Sequence, residues 1–256
     1  MAETRRRPGP RRALTEQEIL DAALALLDAG GAGAASIRRI AAAVGVAPNA
    51  VYTYFPDKAA VERALVERIL GEVAGAPDDP ESAAAPVSGG AAEGGGAAGS
   101  GGAAEGVGPA TGDWRVRVEA LAVDLRRRLV AHPGAVPLML GGPMDGPNAL
   151  RLGESLLELL AASGLDPASA ARASYVLMVY VLGAVALEVA DVPPGMLPPE
   201  AERIAARRAA LSDVPAQAFP RTAAATGVMA TWVGTEQFRW GLRRVLDGLQ
   251  AGAKLD

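Results

Sequence analysis

The chain has 256 residues, half of them apolar and only 4% aromatic, with a net charge of −4. That length and composition suit one or two packed domains and exclude a disordered chain. The absence of cysteine excludes a disulfide framework, a thiolate nucleophile and a Cys-ligated metal. The charge is uneven: net +1 through Ala74 and −5 beyond it, with Arg5, Arg6, Arg7, Arg11 and Arg12 ahead of the first expected helix.

Residues 1–13 are rich in Arg and Pro and show no periodicity, which predicts a disordered basic arm. Thr15 and Glu18 match a capping box, and Ile19, Ala22, Ala23, Leu26 and Leu27 then recur on one helical face up to Gly30-Gly31. Ser36 can cap a short helix with Ile37, Ile40, Ala41 and Val44 on one side, closed by Gly45. Pro48 suits the first turn of a third helix, and Asp57 caps a fourth bearing Val61, Ala64, Leu65, Ile69 and Val73. From 75 to 112 the composition collapses to Gly, Ala, Pro and Ser, which predicts a flexible linker. Beyond it, helices are expected at 114–131, 148–163, 167–190, 199–211 and 234–251. No strand-like alternation interrupts them, so the fold class is all-α: a head over 14–74 and a body over 113–256.

The segment Ser36–Lys58, SIRRIAAAVGVAPNAVYTYFPDK, carries the chemistry. Two short helices about a glycine turn form a helix-turn-helix, whose second member can enter the DNA major groove. Ala42 and Ala43 would let the helices approach, Gly45 would take the positive φ of the turn, and Val46 and Val51 would plug the joint. The exposed side of the second helix is then Pro48, Asn49, Tyr52, Thr53 and Tyr54, groups suited to base edges and phosphates. Tyr52 and Phe55 can each be core aromatics, Phe55 the more readily, while Tyr54 suits either core or phosphate.

Gly45-Val46, Val51-Tyr52, Tyr54-Phe55 and Lys58 fall in the register of the tetracycline repressor (TetR) family, which residues 14–74 resemble. The resemblance implies that Arg38 reaches a base edge from the supporting helix. It further implies that Ala47, Pro48, Asn49 and Thr53 are the variable readers, and that Tyr52, Tyr54 and Lys58 hold phosphates. Arg38 and Arg39 are adjacent and diverge, so one of them is expected to be merely solvated.

The body also resembles that family through Trp114, LRRRLVAHPGAV (125–136), Gly164-Leu165 and FRWGLRRVLDGLQA (238–251). The resemblance implies a homodimer made by 167–190 and 234–251 as a four-helix bundle, and an effector cavity between helices. The nearly all-apolar run YVLMVYVLGAVALEVA (175–190) independently demands burial on more than one side. At the register where the namesake binds drug-chelated magnesium through a His, this chain has about Leu138, so no metal or cofactor is expected. Leu121, Leu125, Leu138, Met139, Met178 and Leu182 are the cavity candidates, each also suited to plain core, and they point to a largely apolar effector. His132 is expected at a helix end, against terminal carbonyls.

One histidine, no cysteine and no phosphate-cradling glycine loop leave an enzyme little to work with. The expectation is a cytoplasmic, non-membrane regulator, most simply a repressor released from a near-palindromic DNA operator by a small molecule. An activator, or a ligand-independent DNA-binding protein of the same fold, remains open at this point.

Overall fold

The computed structural model describes residues 14–31, 33–73, 113–190, 195 and 197–252; the predicted arm and linker lie outside the described residues. The described residues are helical throughout, with no strand among them. The head holds α1 (Glu16–Gly30), α2 (Ile37–Ala43), α3 (Pro48–Tyr52) and α4 (Lys58–Gly71). The body holds α5 (Asp113–Ala131), α6 (Val136–Gly141), α7 (Pro147–Ala162), α8 (Pro167–Val189), α9 (Glu200–Ala210), α10 (Pro220–Met229) and α11 (Thr235–Gly252). Short 3₁₀ turns at Pro133–Ala135 and Ala230–Val233 join the ends of α5 and α6, and of α10 and α11.

Local rules set most of these boundaries. The Thr15 hydroxyl accepts the Glu18 N–H at 3.2 Å while the Thr15 N–H donates to the Glu18 carboxylate at 3.0 Å. Each satisfies a donor that the first turn leaves free. Ser36, Asp57 and Asp166 cap α2, α4 and α8 by accepting first-turn N–H groups, without the reciprocal bond, and Pro48 and Pro167 occupy first turns. Gly31 ends α1 at φ +75°.

Two apolar cores form. The lower one joins Ile19, Leu27, Ile40, Val51 and Leu65 of the head to Leu129, Val136, Met139, Ala149 and Val185 of the body. The upper one, drawn from the body alone, holds Trp114, Val118, Leu160, Leu177, Phe238 and Leu242. Helix α8 serves both, with Ala170, Ala173, Leu177 and Val181 above and Leu182 and Val185 below. Among the described residues it is the one helix long and apolar enough to span a membrane by length and composition. Its inner face is consumed by these cores.

Four features differ from the sequence reading. Helix α6 and helix α10 were not expected, and α10 buries no residue fully, so no apolar stripe announces it. Ala42 and Ala43 are exposed; the small residue at the helix joint is Ala41, fully buried one position earlier. His132 does not sit against terminal carbonyls. Its Nδ1 lies 2.8 Å from the Asp28 carboxylate of α1, and the same carboxylate accepts the Gly134 N–H at 3.3 Å.

Candidate DNA interface and effector cavity

The reading surface follows from how α2 and α3 meet. Gly45 turns the chain at φ +73°, and the Val46 N–H closes the turn on the Ala41 carbonyl at 2.9 Å. Val51 is fully buried at the joint, Val46 packs against the same core, and Phe55 is buried behind it. With its apolar side spent inward, α3 leaves Ala47, Pro48, Asn49, Tyr52 and Thr53 in solvent; half of the Tyr52 side chain is exposed. Arg38 and Arg39 are exposed on α2. Thr53 donates its hydroxyl to the Asn49 carbonyl at 3.3 Å. Lys58 is exposed at the start of α4, 2.8 Å from Glu62 one turn on, a pair weak enough to be exchanged for another anion.

Tyr54 stands apart. It is half-buried and its hydroxyl donates to the Leu14 carbonyl just ahead of α1. The phosphate contact that the resemblance implies for it is disfavoured, because its donor already pins the start of α1 to the end of the reading helix.

The body contains a cavity of about 470 Å³ between α5, α7 and α8. Of the six sequence candidates, Leu121, Leu125, Met178 and Leu182 line it. Leu138 and Met139 do not: Met139 is buried in the lower core and Leu138 packs against it. Helix α6, where they sit, is turned toward the head. The wall that sequence reasoning missed is α7, which contributes Leu150, Leu152, Gly153, Leu156 and Leu157. Its signal was an apolar face broader than one neighbouring helix needs. Glu154, Ser174 and Tyr175 supply the polar groups of an otherwise apolar lining. The lining includes residues of both cores, Val118 and Leu177 from the upper and Ala149 and Leu182 from the lower, so the cavity lies at their seam.

Against the cavity-distal end of α8 lies a buried charge cluster. Arg126 grips Glu188 in a two-pronged pair at 2.9 and 2.8 Å and donates to Thr235 at 2.8 Å. Arg203 of α9 donates to the same Glu188 carboxylate, and Thr235 donates to Glu200 at 2.6 Å. The cluster fastens α9 to α5, α8 and α11. Nearby, Tyr180 donates to the Phe238 carbonyl at 2.7 Å, over a closely packed Gly241 where a Cβ would lie 2.3 Å from the Tyr180 oxygen.

The sequence profile of the tetracyclin repressor-like C-terminal domain matches residues 108–252, and that of bacterial regulatory proteins of the tetR family matches 19–65. This chain belongs to the TetR family. Two relatives are named as transcriptional regulators, not enzymes. The repressor DrrR1 of Streptomyces coeruleorubidus is 27% identical over 254 residues, 97% of this chain and 82% of that one. An HTH-type transcriptional regulator of Saccharopolyspora erythraea is 29% identical over 175 residues, 68% of this chain. That match spans 61% of the Saccharopolyspora protein's length. Among solved structures, the TetR-family protein ActR of Streptomyces coelicolor, in complex with actinorhodin, superposes with a TM-score of 0.67. It is 23% identical, over 94% of this chain and 99% of ActR, and the likeness establishes the shared fold.

Proposed function

We propose that this TetR-family protein is a homodimeric transcriptional repressor that leaves its DNA operator when a small, largely apolar effector fills the cavity. The observation that carries the reading is the outward set of Asn49, Tyr52 and Thr53 on a helix whose apolar side is fully committed to the core. Arg38, Ala47, Pro48, Asn49 and Thr53 are the base-edge readers, with Tyr52 and Lys58 on phosphates. The repressor sense is favoured by the named activity of the Streptomyces coeruleorubidus relative.

The dimer is proposed from α8 and α11. Val176, Val179 and Leu187 recur at helical spacing on the outer side of α8, with Gly183 between them, and α11 presents Trp240 beside Gly241. Leu187 is 74% and Trp240 61% exposed in the single chain, an apolar face that a second copy would cover as a four-helix bundle. Such a dimer would account for the apolar outer side of α8 in a cytoplasmic regulator, without a membrane. Two reading helices in such a dimer would meet successive major grooves of a near-palindromic site.

The cavity's 470 Å³ suits a drug-sized ligand held by shape and a few hydrogen bonds. Effector binding would release DNA by the coupling free energy between the sites, about 1–3 kcal/mol. The experiment is selection of fragments from the source genome by the purified protein, followed by titration with apolar compounds. Salt-dependent, sequence-specific binding that at least one such compound reverses is expected. Specific binding that every cavity occupant leaves unchanged would remove the effector half of the proposal.

A further inference from the structure

Around the shared core, three head carboxylates among the described residues bond to the body, and one of them is built differently from the others. Glu72 pairs with Arg128 at 2.7 Å in a half-exposed bridge, and Asp28 reaches His132 and Gly134 at a turn that does not line the cavity. Glu67 of α4 instead caps a cavity wall. Its carboxylate accepts the Asn148 N–H at 2.7 Å and the Ala149 N–H at 3.2 Å, and its backbone carbonyl accepts the Asn148 side-chain N–H at 2.8 Å.

Helix α7 has no cap of its own, because its N-cap residue is Gly146. The free N–H groups of its first turn are satisfied from another helix, at the end where the helix dipole favours a carboxylate. Both surfaces of the joint are glycine. A Cβ on Gly146 would lie 2.3 Å from the Glu67 carboxyl, and one on Gly71 would lie 2.5 Å from the Asn148 amide. Ala149, which donates to Glu67, itself lines the cavity, as do Leu150 and Gly153 within the next turn. Helix α4 in turn begins at Lys58, a few residues beyond the reading helix.

We propose that Glu67 is the positioning residue through which occupancy of the cavity reaches the DNA-reading helix: an occupant that displaces α7 carries α4 with it through this borrowed cap. This rests on the effector-responsive reading given above and names its transmission point. Residues that carry such coupling are expected to change the response to an occupant more than the basal affinity.

The test can be run without knowing the effector. Gly153 lines the cavity and a Cβ there meets nothing within 4 Å, so Gly153→Phe places a phenyl group where an effector would sit. The full-length dimer is compared as wild type, Gly153→Phe, Glu67→Ala and the double variant, on a genome-selected operator. Gly153→Phe should weaken operator binding by about tenfold or more with Glu67 present and by less than about threefold in the Glu67→Ala background. Glu67→Gln, which keeps one acceptor, should give an intermediate drop, and Gly153→Leu serves if the phenyl variant does not fold. In this cysteine-free chain a spin label at Ala59→Cys reads the head-to-head distance directly. That distance should change with Gly153→Phe only when Glu67 is present. Equal drops in both backgrounds, or no drop in either, would overturn the proposal. A wild-type protein that selects no DNA would instead bring down the regulator reading, and this inference with it.

Discussion

The lower core draws on the head and the body together, whereas the upper core is made by the body alone. Leu27 and Leu65 of the head are buried against the same cluster as Leu129, Val136 and Val185, which lie beyond the Gly- and Ala-rich stretch of 75–112. The composition break in the chain is therefore not a break in the packing. The head shares its core with residues that also line the cavity, Ala149 and Leu182, so packing alone connects the two. The upper core, by contrast, backs the α8–α11 face and has no head residue in it.

The largest effect is expected where the two α8 ends differ most. Glu188→Ala would strip the buried Arg126 of its two-pronged partner, leaving it the longer 3.5 Å contact to Glu200 and the Thr235 hydroxyl, and would take the same carboxylate from Arg203. It should cost about 3 kcal/mol in urea unfolding, with Glu188→Gln costing less. Next, Leu65→Ala and Leu242→Ala each remove a fully buried side chain, at about 2–5 kcal/mol apiece. Hydrogen exchange separates them: Leu65→Ala should lower protection in α1 and also at α6 and the end of α8, while Leu242→Ala should lower it in α5, α8 and α11 only. A Leu65→Ala protein that loosens the head alone would break the shared-core account. Gly134→Ala is a smaller probe of the same seam, since a Cβ there would lie 2.2 Å from the Leu27 carbonyl oxygen. The expected loss is about 1–3 kcal/mol, read as a lower melting temperature.

The smallest effect concerns pH. Hydrogen bonds from Ser169, side chain and backbone, and from Ala168 hold the Asp166 carboxyl below its ordinary 3.8. A depressed carboxyl stabilises the folded state above that ordinary value and loses its contribution as the pH falls through the folded one. The melting-temperature gap between wild type and Asp166→Ala should therefore be steady near neutrality and close as the pH drops below about 3.8.

The sequence was most legible where the physics is local. Thr15 with Glu18, Ser36, Asp57, Asp166 and the first-turn prolines announce helix starts because cap and capped lie within three residues. Val51 against Asn49 could be sorted inside from outside by helical spacing, whereas Tyr52 suited either side until the fold showed it half exposed. Ala42 and Ala43 were misplaced because small residues are tolerated on either side of a helix, so size does not reveal orientation. Leu138 and Met139 failed as cavity residues for a related reason. A cavity is a gap left between three helices, and no residue type marks which apolar side chains border it. The Asp28–His132 and Glu67–α7 contacts were invisible because their partners are 104 and 81 residues apart and only the fold brings them together. Tyr54 shows the limit of resemblance: the motif gives the residue, while the use of its hydroxyl for the Leu14 carbonyl follows from how the start of α1 packs beside it.

In the proposed reading, α3 presents Asn49, Tyr52 and Thr53 to a DNA major groove. Methylation interference on a genome-selected operator tests it most directly, because guanine N7 is exposed only in that groove. Two interfering patches about one helical turn apart, related by two-fold symmetry and erased by combining Asn49→Ala with Tyr52→Ala, are the predicted result. Operator binding that ignores major-groove methylation and survives both substitutions would contradict it.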